Sequence, residues 1–325
     1  MSKRRRSAAA PILRRPLVFA GLALAALAYP AIALYGAHRA TRLRHRPLGL
    51  APESIAGNWE DVTFPARGDG LALRGWWFAN GGAGRALVLI HGRGHNRYDR
   101  NWQSDAIARA LLRRGYAVLM FDLRGHGESA RSRLSYGVRE RADVLGALDF
   151  LRERGFQDEA VALIGSSYGA AAALMALPEM PRIAGVVADS AYAEIWPVIA
   201  AEIPRQSRRL AQLRPGPGIR IAARALFHVN LAAARPLAAV GQAPGCPILF
   251  IHGAVDSYVP PEHSARLRQV SSHPASDLWQ VPEAEHALTY ATAPDEWMDR
   301  VGLFLEGCFV EAPGRSNCAG AARSA

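Results

Sequence analysis

One serine of this chain stands between two glycines directly after an apolar segment. The pentapeptide Gly-Ser-Ser-Tyr-Gly at positions 165–169 follows the apolar run 161–164 and precedes the small-residue run 170–173. A strand, a sharp turn and a helix in that order would lift the hydroxyl of Ser167 clear of a sheet. Glycine two positions before and after the serine removes side chains that such a turn would crowd. The pattern predicts a nucleophile at Ser167, with a helix N-cap as the competing interpretation.

A serine hydroxyl becomes a good nucleophile only when a base takes its proton and an acid orients that base. The chain supplies both after Ser167, the aspartate first and the histidine second. Asp256 lies five residues beyond the apolar run that ends at Ile251, where a loop at a strand end can present a carboxylate. His286 follows the mixed run 277–281 and precedes the last helical stretch. We predict that His286 is the general base and that Asp256 orients it.

Short apolar runs that alternate with helical segments must position these three residues. Strands buried on both faces of a parallel sheet are nearly continuous in apolar residues. Between the runs, segment 139–153 has the apolar spacing of a helix that covers a sheet. The alternation predicts an α/β fold with a mostly parallel central sheet and helices on both faces. Five runs fit such strands, namely 86–90, 117–121, 161–164, 183–188 and 248–251.

Three further regions complete this pattern. Runs 61–64 and 73–78 flank a turn-like Arg-Gly-Asp-Gly segment and predict an antiparallel hairpin at the start of the sheet. Residues 190–240 interrupt the alternation of strands and helices with an insert whose composition favours helices. We interpret this insert as a cap over the site. The small, polar residues 311–325 predict a disordered tail.

These features resemble the α/β-hydrolase superfamily over residues 59–309. Four motifs match in sequence order: His-Gly-Arg-Gly at 91–94, Asp-Leu-Arg-Gly-His-Gly-Glu-Ser at 122–129, the turn at 165–169, and the loops of Asp256 and His286. The resemblance implies the α/β-hydrolase fold with a short helical cap insert. It also implies hydrolysis through a Ser-His-Asp triad and an acyl-enzyme, without a metal or an organic cofactor.

The resemblance further implies two backbone N–H donors to the oxyanion that forms during acyl transfer. They belong to Arg93 and Tyr168, with Gly94 as the alternative to Arg93. Removing one such donor typically lowers the rate about 10²- to 10³-fold. Some related enzymes carry the triad carboxylate at the end of an earlier strand, so Asp189 is the alternative to Asp256.

Other polar residues of these motifs are predicted to be structural. We expect His91, His126 and His252 to form hydrogen bonds within their loops. We expect Asp122 and Arg124 to form an ion pair that braces the second loop.

The net charge of +11 belongs to the N-terminus. Residues 1–50 hold ten basic residues and no acid, which leaves 39 − 10 = 29 basic against 28 acidic residues, a net of +1, over the rest. No basic stripe remains that would follow phosphates, so the sequence argues against nucleic-acid binding. Residues 1–15 are predicted to be a basic segment.

Residues 16–36 form an uncharged stretch between two basic clusters. Because about 20 apolar residues cross a bilayer as a helix, we predict a single transmembrane anchor there, followed by a linker at 37–58 and the hydrolase domain at 59–310. Six basic residues precede the stretch and four follow it, so the domain is expected on the extracytoplasmic side. An uncleaved or cleaved signal peptide and a buried core helix are the alternatives.

The three cysteines, Cys246, Cys308 and Cys318, suggest neither a disulfide framework nor a metal site. Cys308 and Cys318 could form a disulfide bond if the domain is exported. Cys246 is predicted to be a small buried hydrophobic residue.

The leading hypothesis is a serine hydrolase that cleaves an ester or similar acyl bond of a small-molecule substrate. A membrane-anchored serine peptidase or aminopeptidase of the same fold is the alternative. A non-catalytic binding scaffold is the third interpretation. The acyl-chain length and the oligomeric state are left open by the sequence.

Overall fold

A computed structural model describes residues 14–43, 45–243 and 245–310, with side chains described from residue 27 onward except at 209, 210 and 310. The predicted basic segment, apart from Arg14 and Arg15, and the predicted tail lie outside these residues. So does Cys318.

A single mixed sheet of eight strands organises the described residues, in the order β1-β2-β4-β3-β5-β6-β7-β8. β2 pairs antiparallel with β1 and β4, and the remaining neighbours pair in parallel. The strands are β1 Glu60–Pro65, β2 Ala72–Phe78, β3 Ala86–Ile90, β4 Ala117–Phe121, β5 Val161–Ser166, β6 Gly185–Asp189, β7 Ile248–Gly253 and β8 Asp277–Val281.

Helices connect most of the parallel strands, as parallel pairing requires. They are α1 Arg14–Thr41, α2 Ser104–Arg113, α3 Glu140–Glu153, α4 Tyr168–Ala176, α5 Ile195–Gln206, α6 Arg208–Gln212, α7 Gly216–Phe227, α8 Pro236–Gly241, α9 Glu262–Val270, α10 Thr289–Thr292 and α11 Pro294–Val310.

The hydrophobic core lies on both faces of the sheet. Leu87 and Leu89 of β3 belong to one buried cluster with Leu111 of α2 and Trp297 of α11. Val88 between them points to the opposite face because strand side chains alternate. Helix α4 contacts β5 and β6 but contributes no residue to that cluster, so it covers the opposite face.

The sequence predictions of the strands are confirmed. The five apolar runs are β3 to β7, and the early hairpin is β1 with β2. Several boundaries differ by one or two residues: β5 and β7 continue to Ser166 and Gly253, and β6 begins at Gly185 rather than at Ile183. Ile183 accordingly donates to the Met180 carbonyl in a turn, and Ala184 leads into the strand.

The chain divides into two compact units. One contains the described part of residues 14–42 together with 199–229, and the other contains 43–198 and 230–310. Within the first unit, α1 packs on α7 through small residues: a side chain at Gly36 would meet Ile219 at 2.7 Å, and one at Gly218 would meet Ala33 at 2.8 Å. Helices α5 to α7 lie in the predicted insert at 190–240, and their role as a cap stays a prediction.

Helix α1 differs from the sequence prediction for the N-terminal region. It continues through Pro30 to Thr41, five residues into the predicted linker at 37–58. Among the described residues, no helix has both the length and the apolar character needed to cross a bilayer. The transmembrane anchor predicted at 16–36 therefore has no support from the structure.

Candidate active site

Ser167 lies at the sharp turn from β5 into α4, at the carboxyl edge of the sheet. Its backbone is held at φ 49° and ψ −105°, a conformation that non-glycine residues rarely adopt. The N–H of Ser167 donates to the Asp189 carbonyl on the neighbouring strand at 2.7 Å. The turn therefore presents the serine side chain from a rigid strand end.

The two glycines of the turn are required by close backbone contacts. A Cβ at Gly165 would lie 2.6 Å from the backbone nitrogen of Ala170, and a Cβ at Gly169 would lie 2.3 Å from the carbonyl oxygen of Ile90. Neither neighbour is a flexible side chain that could move away. The spacing of glycines around Ser167 is thus a packing requirement of the strand-to-helix turn.

Replacing Gly169 with alanine should destabilise the protein by about 3 kcal/mol or more, because the added methyl group overlaps strand backbone. Gly307→Ala is a matched control, since Gly307 is exposed in α11 and a Cβ there meets nothing within 4 Å. Alanine should stabilise that helix by about 1 kcal/mol. Denaturant unfolding measures both changes. Equal stability of the two variants would contradict the packing requirement.

The structure brings the three residues of the predicted triad into one hydrogen-bonded series. Ser167 Oγ lies 2.8 Å from His286 Nε2, and His286 Nδ1 lies 2.6 Å from Asp256 Oδ2. A carboxylate only accepts, so Nδ1 carries a proton and Nε2 is free to accept the serine proton. The arrangement can move a proton from Ser167 to His286 while Asp256 balances the resulting charge.

Asp256 is buried and held by several donors. Its Oδ1 accepts from the backbone N–H groups of Tyr258 at 2.9 Å and Val259 at 2.8 Å. Burial raises the pKa of Asp256, but hydrogen bonds from His252 and His286 outweigh it, and the net pKa lies well below the ordinary value. Asp256 is therefore a carboxylate in the resting protein.

His252 is a neighbour of Asp256. The sequence predicted only a general structural role for this histidine. Its Nε2 lies 2.8 Å from the Val259 carbonyl and 3.2 Å from Asp256 Oδ2. Both are acceptors, so Nε2 carries the proton and Nδ1 accepts from the Ser264 hydroxyl at 2.6 Å. His252 thus helps to position the Asp256 carboxylate. The position of His252 four residues before Asp256 was the available signal.

Asp189, the alternative acid, occupies a different environment. It is fully buried, and its carboxylate accepts from Trp102 Nε1 at 3.1 Å, from Ser190 Oγ at 2.9 Å and from Thr289 Oγ1. Burial raises its pKa. The structure shows no contact between Asp189 and His286, so Asp256 is the carboxylate that contacts His286.

Arg93, in the loop after β3, and Tyr168, the first residue of α4, both line the same cavity as Ser167. Neither backbone N–H has a hydrogen-bond acceptor among the described residues. The N–H of Gly94 instead donates to His126 Nε2 at 3.2 Å. Gly94, the alternative donor, is therefore occupied, whereas the other two are available to a ligand.

His91 and His126 form hydrogen bonds with backbone groups of their loops. His91 Nδ1 lies 2.8 Å from the Gly92 carbonyl, and its Nε2 accepts from the N–H of Leu123 at 3.0 Å. Burial lowers the pKa of both histidines to about 3. Each ring is therefore neutral near pH 7, in keeping with a structural role.

The ion pair expected between Asp122 and Arg124 is wrong. Asp122 pairs with Arg97 at 3.0 Å, and Arg97 also contacts Glu128. Arg124 pairs with Asp143 of α3 at 2.7 Å and with Asp69 at 2.7 Å.

Each residue of the expected pair thus braces the loop through a more distant partner. Asp122 and Arg124 are both buried. Buried charges need close, well-oriented partners, and the fold supplies these from other segments rather than from the next residues along the loop.

A cavity of about 150 Å³ opens beside the serine and lies within the second compact unit. Apolar side chains from the β6–α5 region form part of its wall, and tyrosines form another part. The lining includes Ser167, His286, Arg93, Tyr136, Tyr192 and Tyr258. The cavity has room for a small acyl or alcohol group next to the serine.

Residues 87–305 match the profile of the "Alpha/beta hydrolase family". The chain is similar to the uncharacterized protein YfhR of Escherichia coli (strain K12), 28% identical over 234 residues that cover 70% of this chain and 73% of YfhR. It is similar to the uncharacterized protein Rv2307c of Mycobacterium tuberculosis (strain H37Rv), 31% identical over 210 residues that cover 63% and 65% of the two chains.

Among solved structures, the esterase Pf2001 of Pyrococcus furiosus superimposes with a TM-score of 0.69 and 24% identity, over 82% of this chain and 99% of the esterase chain. That likeness shows the fold. The profile match spans more than half of the chain, so the protein belongs to the alpha/beta hydrolase family.

Proposed function

We propose that this hydrolase cleaves a carboxylic ester or similar acyl bond, with Ser167 as the nucleophile. The observation that carries the proposal is the unbroken hydrogen-bonded series from Ser167 Oγ through His286 to Asp256. The structural likeness to an esterase supports the same class of reaction.

In the proposed acylation step, His286 Nε2 takes the proton of Ser167 as Oγ attacks the carbonyl carbon of the ester. The carbonyl oxygen becomes an oxyanion that accepts from the N–H groups of Arg93 and Tyr168. The imidazolium then protonates the leaving alcohol, and Asp256 stabilises the imidazolium charge.

In the deacylation step, His286 takes a proton from water, which attacks the acyl-enzyme. The second tetrahedral intermediate collapses, the carboxylic acid leaves and the proton returns to Ser167. The reaction consumes one ester and one water and yields one acid and one alcohol. No other reactant is required.

A fluorophosphonate probe, together with a panel of p-nitrophenyl esters and aminoacyl p-nitroanilides, tests the proposal. We expect the folded protein to acquire one adduct on Ser167 by peptide mapping, and to hydrolyse esters. Hydrolysis of the anilides alone would replace the esterase with a serine peptidase. Absence of both the adduct and hydrolysis would favour a binding scaffold.

We also propose that the protein works at a membrane, with its hydrolase domain on the extracytoplasmic side. The charge bias around residues 16–36 supports this, and so does the first compact unit. Residues 14–42 and 199–229 together contain ten basic residues and one acid, Glu202. The exposed large apolar side chains among the described residues of this unit are Leu27, Tyr29, Leu34, Tyr35, Leu213, Ile221 and Leu226.

Fractionation of expressing cells tests the location. We expect the full-length protein to pellet with membranes, and to remain there after a carbonate wash if residues 16–36 span the bilayer. Release by carbonate would indicate binding at the membrane surface. Recovery in the soluble fraction before any wash would contradict the proposed location.

A further inference from the structure

Arg93 brings a positive charge to the cavity beside Ser167. Its guanidinium is always protonated near neutral pH. Nη1 donates to the Tyr136 hydroxyl at 3.2 Å, and the guanidinium carbon lies 5.7 Å from the centre of the Tyr258 ring. Both contacts are with neutral groups, and among the described residues no carboxylate lies within ion-pair distance of Arg93.

The two buried arginines of the loops after β3 and β4, Arg97 and Arg124, lie in a different environment. Arg97 pairs with Asp122 and Glu128, and Arg124 pairs with Asp69 and Asp143. Each of these guanidiniums lies within ion-pair distance of at least two carboxylates, since Arg97 also faces Asp61 at 3.9 Å. Arg93 lacks such compensation and remains accessible.

One acidic residue does line the cavity, but its acceptors are already engaged. Asp99 Oδ2 accepts from the N–H of Gly92 at 2.9 Å, and Asp99 Oδ1 accepts from the N–H of Trp102 at 3.3 Å and faces His95 Nδ1 at 3.1 Å. Asp99 therefore forms no ion pair with Arg93, and the guanidinium charge is available to a negatively charged ligand.

A second wall of the cavity contains a hydrogen-bond donor without an acceptor in the described part of the chain, the hydroxyl of Tyr192. Tyr192 is 2% exposed, and its hydroxyl has no hydrogen-bond partner among the described residues. A buried hydroxyl without a partner is unfavourable, so a ligand oxygen that accepts from it would be bound favourably. Tyr192 and Arg93 line the same cavity as Ser167 and His286.

We propose that Arg93 and Tyr192 form an anion subsite next to the nucleophile, and that the substrate is an ester carrying a carboxylate or phosphate group. The inference rests on the proposed esterase function, and it names the substrate class. Guanidinium and phenol groups present donors to such oxygens, and charge-assisted hydrogen bonds of this kind are stronger than neutral ones. An uncharged ester of the same length offers a carbonyl oxygen to the same donors but no negative charge to the guanidinium.

Binding to the Ser167→Ala protein tests the subsite without any need for turnover. Isothermal titration compares monomethyl adipate with dimethyl adipate, which differ by one charge. We expect the anionic ester to bind about 10- to 100-fold more tightly. The Arg93→Gln and Tyr192→Phe changes, each added to Ser167→Ala, should reduce that ratio, with the larger loss for Arg93→Gln.

Arg100→Gln is the matched control, because Arg100 is an exposed arginine of the same loop that does not line the cavity. It should leave the ratio unchanged. A second arm with 2-acetoxyethyl phosphate distinguishes a phosphate from a carboxylate as the preferred anion.

Equal binding of the charged and neutral esters, or an undiminished ratio in the Arg93→Gln protein, would overturn the subsite. Because binding is measured on a protein without the nucleophile, a failure of ester hydrolysis by the wild type would contradict the proposed function separately.

Discussion

Replacing Ser167 with alanine should lower kcat for p-nitrophenyl acetate by about 10⁶-fold while the protein stays folded. Removing the nucleophile of a serine triad costs about this much, and only transition-state binding by the remaining groups is left. The side chain of Ser167 contributes one hydrogen bond, to His286, so the packing of β5 and α4 is retained. Stopped assays and thermal unfolding monitored by circular dichroism measure the two properties.

Ser166 provides a matched control for that substitution. Its hydroxyl is buried beside the same cavity and has no hydrogen-bond partner among the described residues. The Ser166→Ala protein should retain its rate within a few-fold. If Ser166→Ala lost its activity while Ser167→Ala retained it, the nucleophile would be Ser166, and the assignment to Ser167 would be wrong.

Asp256→Asn is expected to lower kcat by about 10⁴-fold. An asparagine in place of the carboxylate favours the histidine tautomer with Nδ1 unprotonated, and Nε2 can then no longer accept the serine proton. The side-chain oxygen can still accept from the N–H groups of Tyr258 and Val259, so the loop should keep its shape. Steady-state kinetics with p-nitrophenyl acetate measures the loss, and fluorophosphonate labelling of Ser167 should slow in parallel.

The Asp189→Asn substitution distinguishes the role of Asp189 from that of Asp256. An amide at this position would place a buried N–H₂ group among donors such as Trp102 Nε1 and Ser190 Oγ. We expect a loss of stability of about 1 to 3 kcal/mol, with the rate of the folded protein within about tenfold of the wild type. A 10⁴-fold rate loss in Asp189→Asn but not in Asp256→Asn would mean that the orienting acid was wrongly assigned.

The sequence by itself determined the elements and the order of the motifs. The apolar runs became strands because a strand buried on both faces needs apolar residues at successive positions, whatever its neighbours are. The glycines around Ser167 were informative for a similar reason, because a sharp turn restricts its own nearest residues. Such constraints act over a few residues, so they can be read along the chain.

Only the tertiary structure decided which distant groups meet. Ser167 and His286 are separated by 119 residues, and Asp189 competed with Asp256 until the loops after β7 and β8 placed Asp256 against the histidine. The partners of Asp122 and Arg124 were likewise set by segments far away in sequence.

The uncompensated charge of Arg93 and the unused hydroxyl of Tyr192 had no sequence signal at all. Whether a polar group is paired depends on strand order and on how loops converge, and no local pattern encodes either. The candidate nucleophile could therefore be predicted from the sequence, whereas the carboxylate that contacts His286 and the charge of the cavity depend on the assembled fold.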